Sequence, residues 1–256
     1  MHPPATVSVT GRGVVATILV FAVAATCVRL GFWQLDRMRQ RRVLNDAIEA
    51  RLTAPPVALQ TAPRDTSGLL FRRVTVSGPL DGGRSIVLPG RAYRGSPGAH
   101  VLAPLLLPDG SAVLVDRGWM PAADGATVDL ERIAPRGAVA DTALVLPFPG
   151  RETAFLDRNA TGTPADSPAG FRQVWFAMDE HALRRQFPYV LGEVQLQLLP
   201  TPRADEFPVR LEAPPLDPGP HLGYAIQWFS FALIALVGWM VMVMKTGVAR
   251  GGNPSQ

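Results

Sequence analysis

Residues Leu222 to Met244 read LGYAIQWFSFALIALVGWMVMVM, 23 residues without a charged side chain. At 1.5 Å per residue such a helix is about 34 Å long, enough to cross a hydrocarbon core of roughly 30 Å with some tilt. Tyr224 and Trp228 lie toward one boundary and Trp239 toward the other, a loose aromatic belt. Lys245 and Arg250 follow directly, and basic residues beside a span favour the cytoplasmic side. A transmembrane helix is therefore placed at 221–244, with residues 245–256 as a cytoplasmic tail.

Working outward, Gly13 to Val28 is a second apolar stretch, interrupted by Arg29 and completed by Leu30-Gly-Phe-Trp-Gln-Leu35. An arginine within a turn or two of a helix end can carry its charge to the interface on its long stem, so 13–35 reads as a span. The same residues also allow a cleaved signal peptide, with Arg12 as its basic head, Val14 to Phe21 as its apolar part and Ala22-Val23-Ala24 as its cleavage site. A lipoprotein anchored through Cys27 fits less well, because Thr26 is a poor residue before a lipidated cysteine. Topology is contested: Arg37, Arg39, Arg41 and Arg42 follow this span and only Arg12 precedes it. Taken alone, that asymmetry would leave the intervening domain in the cytoplasm. Long domains, however, translocate largely regardless of charge, and the C-terminal span places them outside. Two spans require both ends on one side, so residues 1–12 are expected in the cytoplasm and 36–220 outside it.

The balance of the chain bounds the remaining classes. Its mean hydropathy of +0.14 is high for a soluble protein, and the apolar residues concentrate at the two ends. The net charge is +4, carried almost entirely by scattered arginines, with Lys245 the sole lysine, so nucleic acid is not an expected partner. Cys27 is the only cysteine, which excludes an intramolecular disulfide and a paired-thiol metal site. His2, His100, His181 and His221 are far apart in sequence, and Met240, Met242 and Met244 sit in the last span as lipid-facing filler. Delivery of a metal through a dedicated thiol site is not expected.

Leu35, Met38, Val43, Leu44, Ala47, Ile48 and Leu52 keep helical spacing, so the first helix is expected to continue beyond the membrane until Pro55-Pro56 stops it. Short β-like runs punctuated by Gly and Pro follow: Phe71 to Gly78, Arg84 to Leu88, His100 to Leu107, Ser111 to Asp116, Phe171 to Phe176 and Val194 to Leu199. Pro108-Asp109-Gly110 reads as a hairpin turn, Asp179 to Phe187 as a short helix capped by Asp179, and residues 159–170 as a loop. The fold class expected is α+β, two transmembrane helices flanking one mainly antiparallel sheet or small barrel. Nucleophile-elbow, P-loop, Cys-x-x-Cys and His-Glu-x-x-His patterns are missing. Asp116 and Asp179-Glu180 have no evident His partner in the sequence and read as surface pairs or caps, so no catalytic residue is assigned.

Two constellations invite a functional reading. His221-Leu-Gly-Tyr-Ala-Ile-Gln-Trp228 opens the second span, and seven residues place His221 and Trp228 on one helical face, about 10.5 Å apart along the axis. An imidazole there is a candidate axial ligand for haem iron, with the aromatic ring packing on the macrocycle. The plainer reading makes both residues headgroup-level anchors. Asp116-Arg-Gly-Trp-Met-Pro121 ends the strand Val113-Leu-Val115. Gly118 permits a bulge or a positive φ and Trp119 supplies apolar surface, for a packed strand end or a ridge that docks a partner.

Taken in order, Leu30-Gly-Phe-Trp-Gln-Leu-Asp-Arg37, Phe71-Arg-Arg-Val-Thr-Val-Ser-Gly78, Val115-Asp-Arg-Gly-Trp-Met-Pro121 and His221-Leu-Gly-Tyr-Ala-Ile-Gln-Trp-Phe-Ser-Phe-Ala232 resemble the surfeit-locus (Shy-type) assembly factors of cytochrome c oxidase. The resemblance runs from about residue 13 to 245. It implies an uncleaved first span, cytoplasmic termini and a domain on the outer face of a bacterial inner membrane. It further implies a non-enzymatic role in maturing the haem-copper subunit 1 beside other assembly factors, with haem a held transiently. The family's haem-associated His and Trp match His221 and Trp228, and its Gly and Trp after the central strand match Gly118 and Trp119. Two other readings stay open: a structural scaffold that binds an oxidase subunit without haem, and a membrane-anchored periplasmic enzyme.

Overall fold

A computed structural model describes residues 11–135, 137–148, 171–176, 178–201 and 207–251. They form two compact units: Met1–Ala47 with Leu216–Gln256, and Ile48–Pro215.

The first unit is a pair of helices, α1 (Gly11–Thr53, 43 residues) and α3 (His221–Gly251, 31 residues). Their stretches Gly13–Thr53 and His221–Lys245 are each long and apolar enough to cross a membrane. The side chains are distributed inversely to those of a helix in water. Val15, Ile18, Leu19, Leu233 and Ile234 point outward, whereas Ala24, Cys27, Ala225 and Ala232 are buried. Small residues that let two backbones approach occupy the seam, the pattern of helix pairs in lipid, where no large apolar side chain gains by turning inward. On α1 the seam follows Thr17, Val20, Ala24, Cys27, Gly31 and Gln34, alternating steps of three and four. On α3 it follows His221, Ala225, Trp228, Ala232, Ala235 and Trp239 with the same spacing. That period of 3.5 keeps a single stripe turned toward the partner helix. The helices run antiparallel: Gln34 meets His221, Phe32 packs edge-on to Phe229, and Thr17 and Phe21 both reach Trp239. Gly31 lies where they cross, and a Cβ there would come within 2.6 Å of the Phe229 ring, which would have to shift.

The second unit is built on a seven-stranded sheet of order β1-β2-β6-β7-β5-β4-β3. The strands are β1 (Val57–Ala58), β2 (Arg73–Pro79), β3 (Ile86–Tyr93), β4 (Ser96–Leu106), β5 (Ala112–Pro121), β6 (Ala138–Pro147) and β7 (Leu191–Leu198). The sheet is mainly antiparallel, as expected, but not purely so: β1 pairs with β2 and β5 with β7 in parallel. The central strand β7 is antiparallel to β6 and parallel to β5, and so joins the β3–β4–β5 meander to the β2–β6 pair. The sheet also rolls toward closure. Leu80 bridges Leu105, the Asp81 N–H donates to the Pro104 carbonyl at 2.8 Å, and Gly78 passes so close to the Leu106 carbonyl that a Cβ would meet it at 2.2 Å. Inside the roll lie Val74, Val76, Leu105, Val113, Val115, Val145, Val194, Leu196 and Leu198, every second residue of five strands. Each such side chain removed from water contributes about 1.5–3 kcal/mol before chain entropy is counted.

A second core covers the outer face. Ile86, Leu88, Leu102 and Leu114 pack there beneath Phe148, Trp175 and Phe187 and beneath Leu183 of the short helix α2 (Glu180–Arg185). The Asp179 carboxylate caps α2 by accepting from the His181 and Ala182 N–H groups. Tyr189 closes this layer, and its phenol donates to Asp81 at 3.0 Å. The turn at Pro108-Asp109-Gly110 joins β4 to β5, with Gly110 at φ +81° and the Leu107 N–H donating to the Ser111 carbonyl. The strand expected over Phe171 to Phe176 reduces to a single bridge, Val174 to Val87. There the Arg172 carbonyl accepts from the Trp175 indole, and the Arg172 Nε donates to the Val174 carbonyl, which curls the segment off the sheet edge. Strand β6 is an addition to the strands expected from the sequence. The loop expected at 159–170 lies outside the described residues.

Candidate functional site

His221 is the first residue of α3, and the turn before it fixes how its ring enters the helix pair. The Asp217 carboxylate accepts from the Gly219 N–H at 2.7 Å, and the Asp217 carbonyl accepts from the Asn45 amide of α1 at 3.2 Å. Gly219 has φ +77°, a left-handed conformation that favours glycine. A Cβ there would lie 3.1–3.2 Å from Cδ2 and Nε2 of His221, so the missing side chain leaves that edge of the imidazole uncrowded. The opposite edge is engaged: His221 Nδ1 lies 2.9 Å from Oε1 of Gln34. Nε2 has no hydrogen-bond partner among the described residues. Gln34 stands in the quoted Leu30 to Arg37 motif, and no local signal in the sequence marks it as a site residue because its partner is 187 positions away.

Trp228 lies two turns along the same stripe, packed against Ala24, Cys27 and Ala232 with its ring edge-on to Phe231. Both residues thus face α1, although no direct contact joins their rings among the described residues. A groove of about 560 Å³ in this unit is lined by Arg29, Leu30, Phe32, Trp33 and Asp36 of α1. It includes neither His221 nor Trp228.

In the sheet unit, Gly118 has φ +129°, and a Cβ on it would lie 2.3 Å from the Val209 carbonyl oxygen. That close approach lets Trp119 and Val209 exchange two backbone hydrogen bonds of 2.8 Å. The Trp119 indole lies over Gly98, donates to the Arg91 carbonyl at 2.9 Å and packs on Tyr93. Only 5 % of Trp119 is exposed, so its surface is spent on internal packing and little is left for a docking ridge.

The reading of Asp116 as a surface group without a His partner is wrong. Asp116 is buried, its Oδ2 lies 2.6 Å from Nδ1 of His100, its Oδ1 accepts from the Gly118 N–H at 2.9 Å, and Gln195 approaches at 3.4 Å. Leu102 pairs with Asp116 and His100 with Trp119, and the bulge between them brings the His100 ring diagonally over the carboxylate. The pair braces the turn that Gly118 makes. No group of three or more His, Cys, Asp or Glu gathers to hold a metal ion among the described residues. Arg117, at the bulge, is partly desolvated and near Arg210, and both effects lower its pKa. Arg210 itself pairs with Asp141 at 2.8 Å.

The sequence pattern that defines the SURF1 family matches residues 21–233, which takes in all four quoted motifs. The chain belongs to the SURF1 family. Members of that family are cytochrome c oxidase assembly factors. A SURF1-like protein of Monosiga brevicollis is 28 % identical over 91 % of this chain and 89 % of its own length. An uncharacterised SURF1-like protein of Mycobacterium bovis is 30 % identical over 87 % of this chain and 77 % of its own. Surfeit locus protein 1 of mouse is 31 % identical over 39 % of this chain and 37 % of its own length.

Proposed function

We propose that this SURF1 family member holds haem a through His221 at the membrane boundary during assembly of cytochrome c oxidase, for delivery to or stabilisation of subunit 1. The observation that carries the reading is the state of the His221 ring: one nitrogen engaged by Gln34, the other beside a glycine and without a partner among the described residues. A histidine that ligates iron needs that asymmetry, with one nitrogen holding the ring and the other presenting its lone pair. The donor set therefore fits a haem. The bound group would supply an iron centre that accepts the Nε2 lone pair. His221 would bind it, Gln34 and the Asp217–Gly219 turn would orient the ring, and Trp228 would offer apolar surface in the same seam. Both termini are proposed to be cytoplasmic and the sheet unit to lie outside the bacterial inner membrane, where it would meet oxidase subunits and other assembly factors.

Protein purified after co-expression with haem a synthesis should carry a haem spectrum that His221→Ala removes. Equal loading of wild type and variant would take His221 out of the function. The scaffold alternative assigns no role to His221 or to haem. It requires oxidase subunits to co-purify equally well with the His221→Ala variant and without haem.

A further inference from the structure

Gln34 is a polar side chain within an apolar helix, and the seam holds it in place. It follows Ala24, Cys27 and Gly31 on the stripe of α1 that faces α3, and it is half-buried there. A side-chain amide in such a place costs free energy unless it is hydrogen-bonded, and the partner it meets is Nδ1 of His221. Asn45, eleven residues further along α1, holds the turn that leads into the same histidine. The loop and ring at the start of α3 are thus gripped by two amides of α1.

We propose that Gln34 is the positioning residue of His221, selecting the tautomer in which Nε2 is free to bind iron. A neutral imidazole carries one N–H. When Nδ1 carries it and donates to the Gln34 carbonyl oxygen, Nε2 keeps a bare lone pair beside Gly219. When the Gln34 NH2 instead donates to Nδ1, the proton moves to Nε2 and the ring cannot ligate. The 2.9 Å contact runs from Nδ1 to the Gln34 Oε1, the first arrangement; the second needs the amide turned over, and iron binding at Nε2 admits only the first. The first helix is then part of the ligand site in addition to being an anchor. The proposal rests on the reading of His221 as the haem ligand.

Substitutions at Gln34 separate the alternatives. Glutamate can only accept from Nδ1–H and so enforces the ligating tautomer, while its charge raises the electron density on the ring. Leucine of similar size makes no hydrogen bond. The full-length protein in detergent is titrated with ferric haem b, and the bound haem is then titrated for its midpoint potential. Gln34→Leu should weaken binding by about 10- to 100-fold, the usual loss when the outer partner of a ligating histidine is removed. Gln34→Glu should retain wild-type affinity and shift the potential to more negative values. If wild type binds haem, His221→Ala does not, and both Gln34 variants match wild type in affinity and potential, the positioning role is overturned while the haem reading stands. Equal loss in the glutamate and leucine variants overturns it as well. If wild type binds no haem, or His221→Ala binds it equally, the haem reading fails and the role of Gln34 fails with it.

Discussion

Replacement of Gly118 by alanine should open the sheet unit at one identifiable place. The new Cβ would lie 2.3 Å from the Val209 carbonyl oxygen, 2.7 Å from its carbon and 3.1 Å from the Arg210 nitrogen. All three are backbone atoms, so no rotamer change relieves the clash and the 207–210 segment must move. Its movement breaks the two 2.8 Å hydrogen bonds between Trp119 and Val209. Their net loss is worth about 1–3 kcal/mol, and holding a non-glycine residue at φ +129° adds about 1–3 kcal/mol. Together about 2–6 kcal/mol is at stake, against the 5–15 kcal/mol or so that keeps a typical domain folded. Hydrogen exchange on the full-length protein in detergent reads this at the Trp119 and Val209 amides. Protection there should fall by at least about 30-fold, since each 1.4 kcal/mol is tenfold. Gly110→Ala is the control, because Gly110 has φ +81° but nothing within 4 Å of a Cβ. Wild-type protection at Trp119 and Val209 in Gly118→Ala, or the same loss there in Gly110→Ala, would refute the steric reasoning.

Further predictions concern the remaining contacts. Gly31→Leu should drive the helices apart at Phe229, so spin labels at the exposed positions 23 and 233 should lie farther apart than in the Gly31 protein carrying the same labels; an unchanged distance contradicts the close crossing. Asp116→Ala should leave His100 Nδ1 and the Gly118 N–H unpaired in a buried site, at about 1–3 kcal/mol each, lowering the thermal midpoint more than Asp109→Ala in the exposed hairpin turn. The Tyr189 phenol titrates above its ordinary value of 10.0, chiefly because it is buried and secondly because it donates to Asp81. Its contribution to stability is therefore complete below pH 10 and is lost as pH rises through the higher folded value. Alkaline unfolding should be less steep in Tyr189→Phe than in wild type, and identical curves would remove Tyr189 from the linkage.

Much of this molecule is legible from local signals. Twenty-three uncharged residues mark the second span, Pro55-Pro56 sits just past the end of α1 at Thr53, and Asp179 caps α2 as its position suggests. Strand β6 is harder to see, because Ala138, Ala140, Asp141 and Thr142 lack the branched apolar alternation of a strand and gain it only at Ala143 to Val145. The parallel pairing of β5 with β7 depends on strands far apart in the chain, which no local pattern reports. The His100–Asp116 pair was within reach. The turn at Pro108 to Gly110 sets the hairpin register and places Asp116 opposite Leu102, next to His100 on the same face, save for a bulge. Gln34 and His221 meet only because two stripes with a 3.5-residue period face each other. The small residues Ala24, Cys27 and Gly31 were the visible trace of that seam.

The central claim is tested most directly in membranes from a strain lacking this gene, by recording the reduced haem a absorbance and oxidase activity. Both should be diminished, restored by the wild-type protein, and not restored by an equally abundant His221→Ala variant. Normal haem a absorbance and oxidase activity in the deletion strain would contradict an assembly role, and full restoration by His221→Ala would contradict haem handling through this residue.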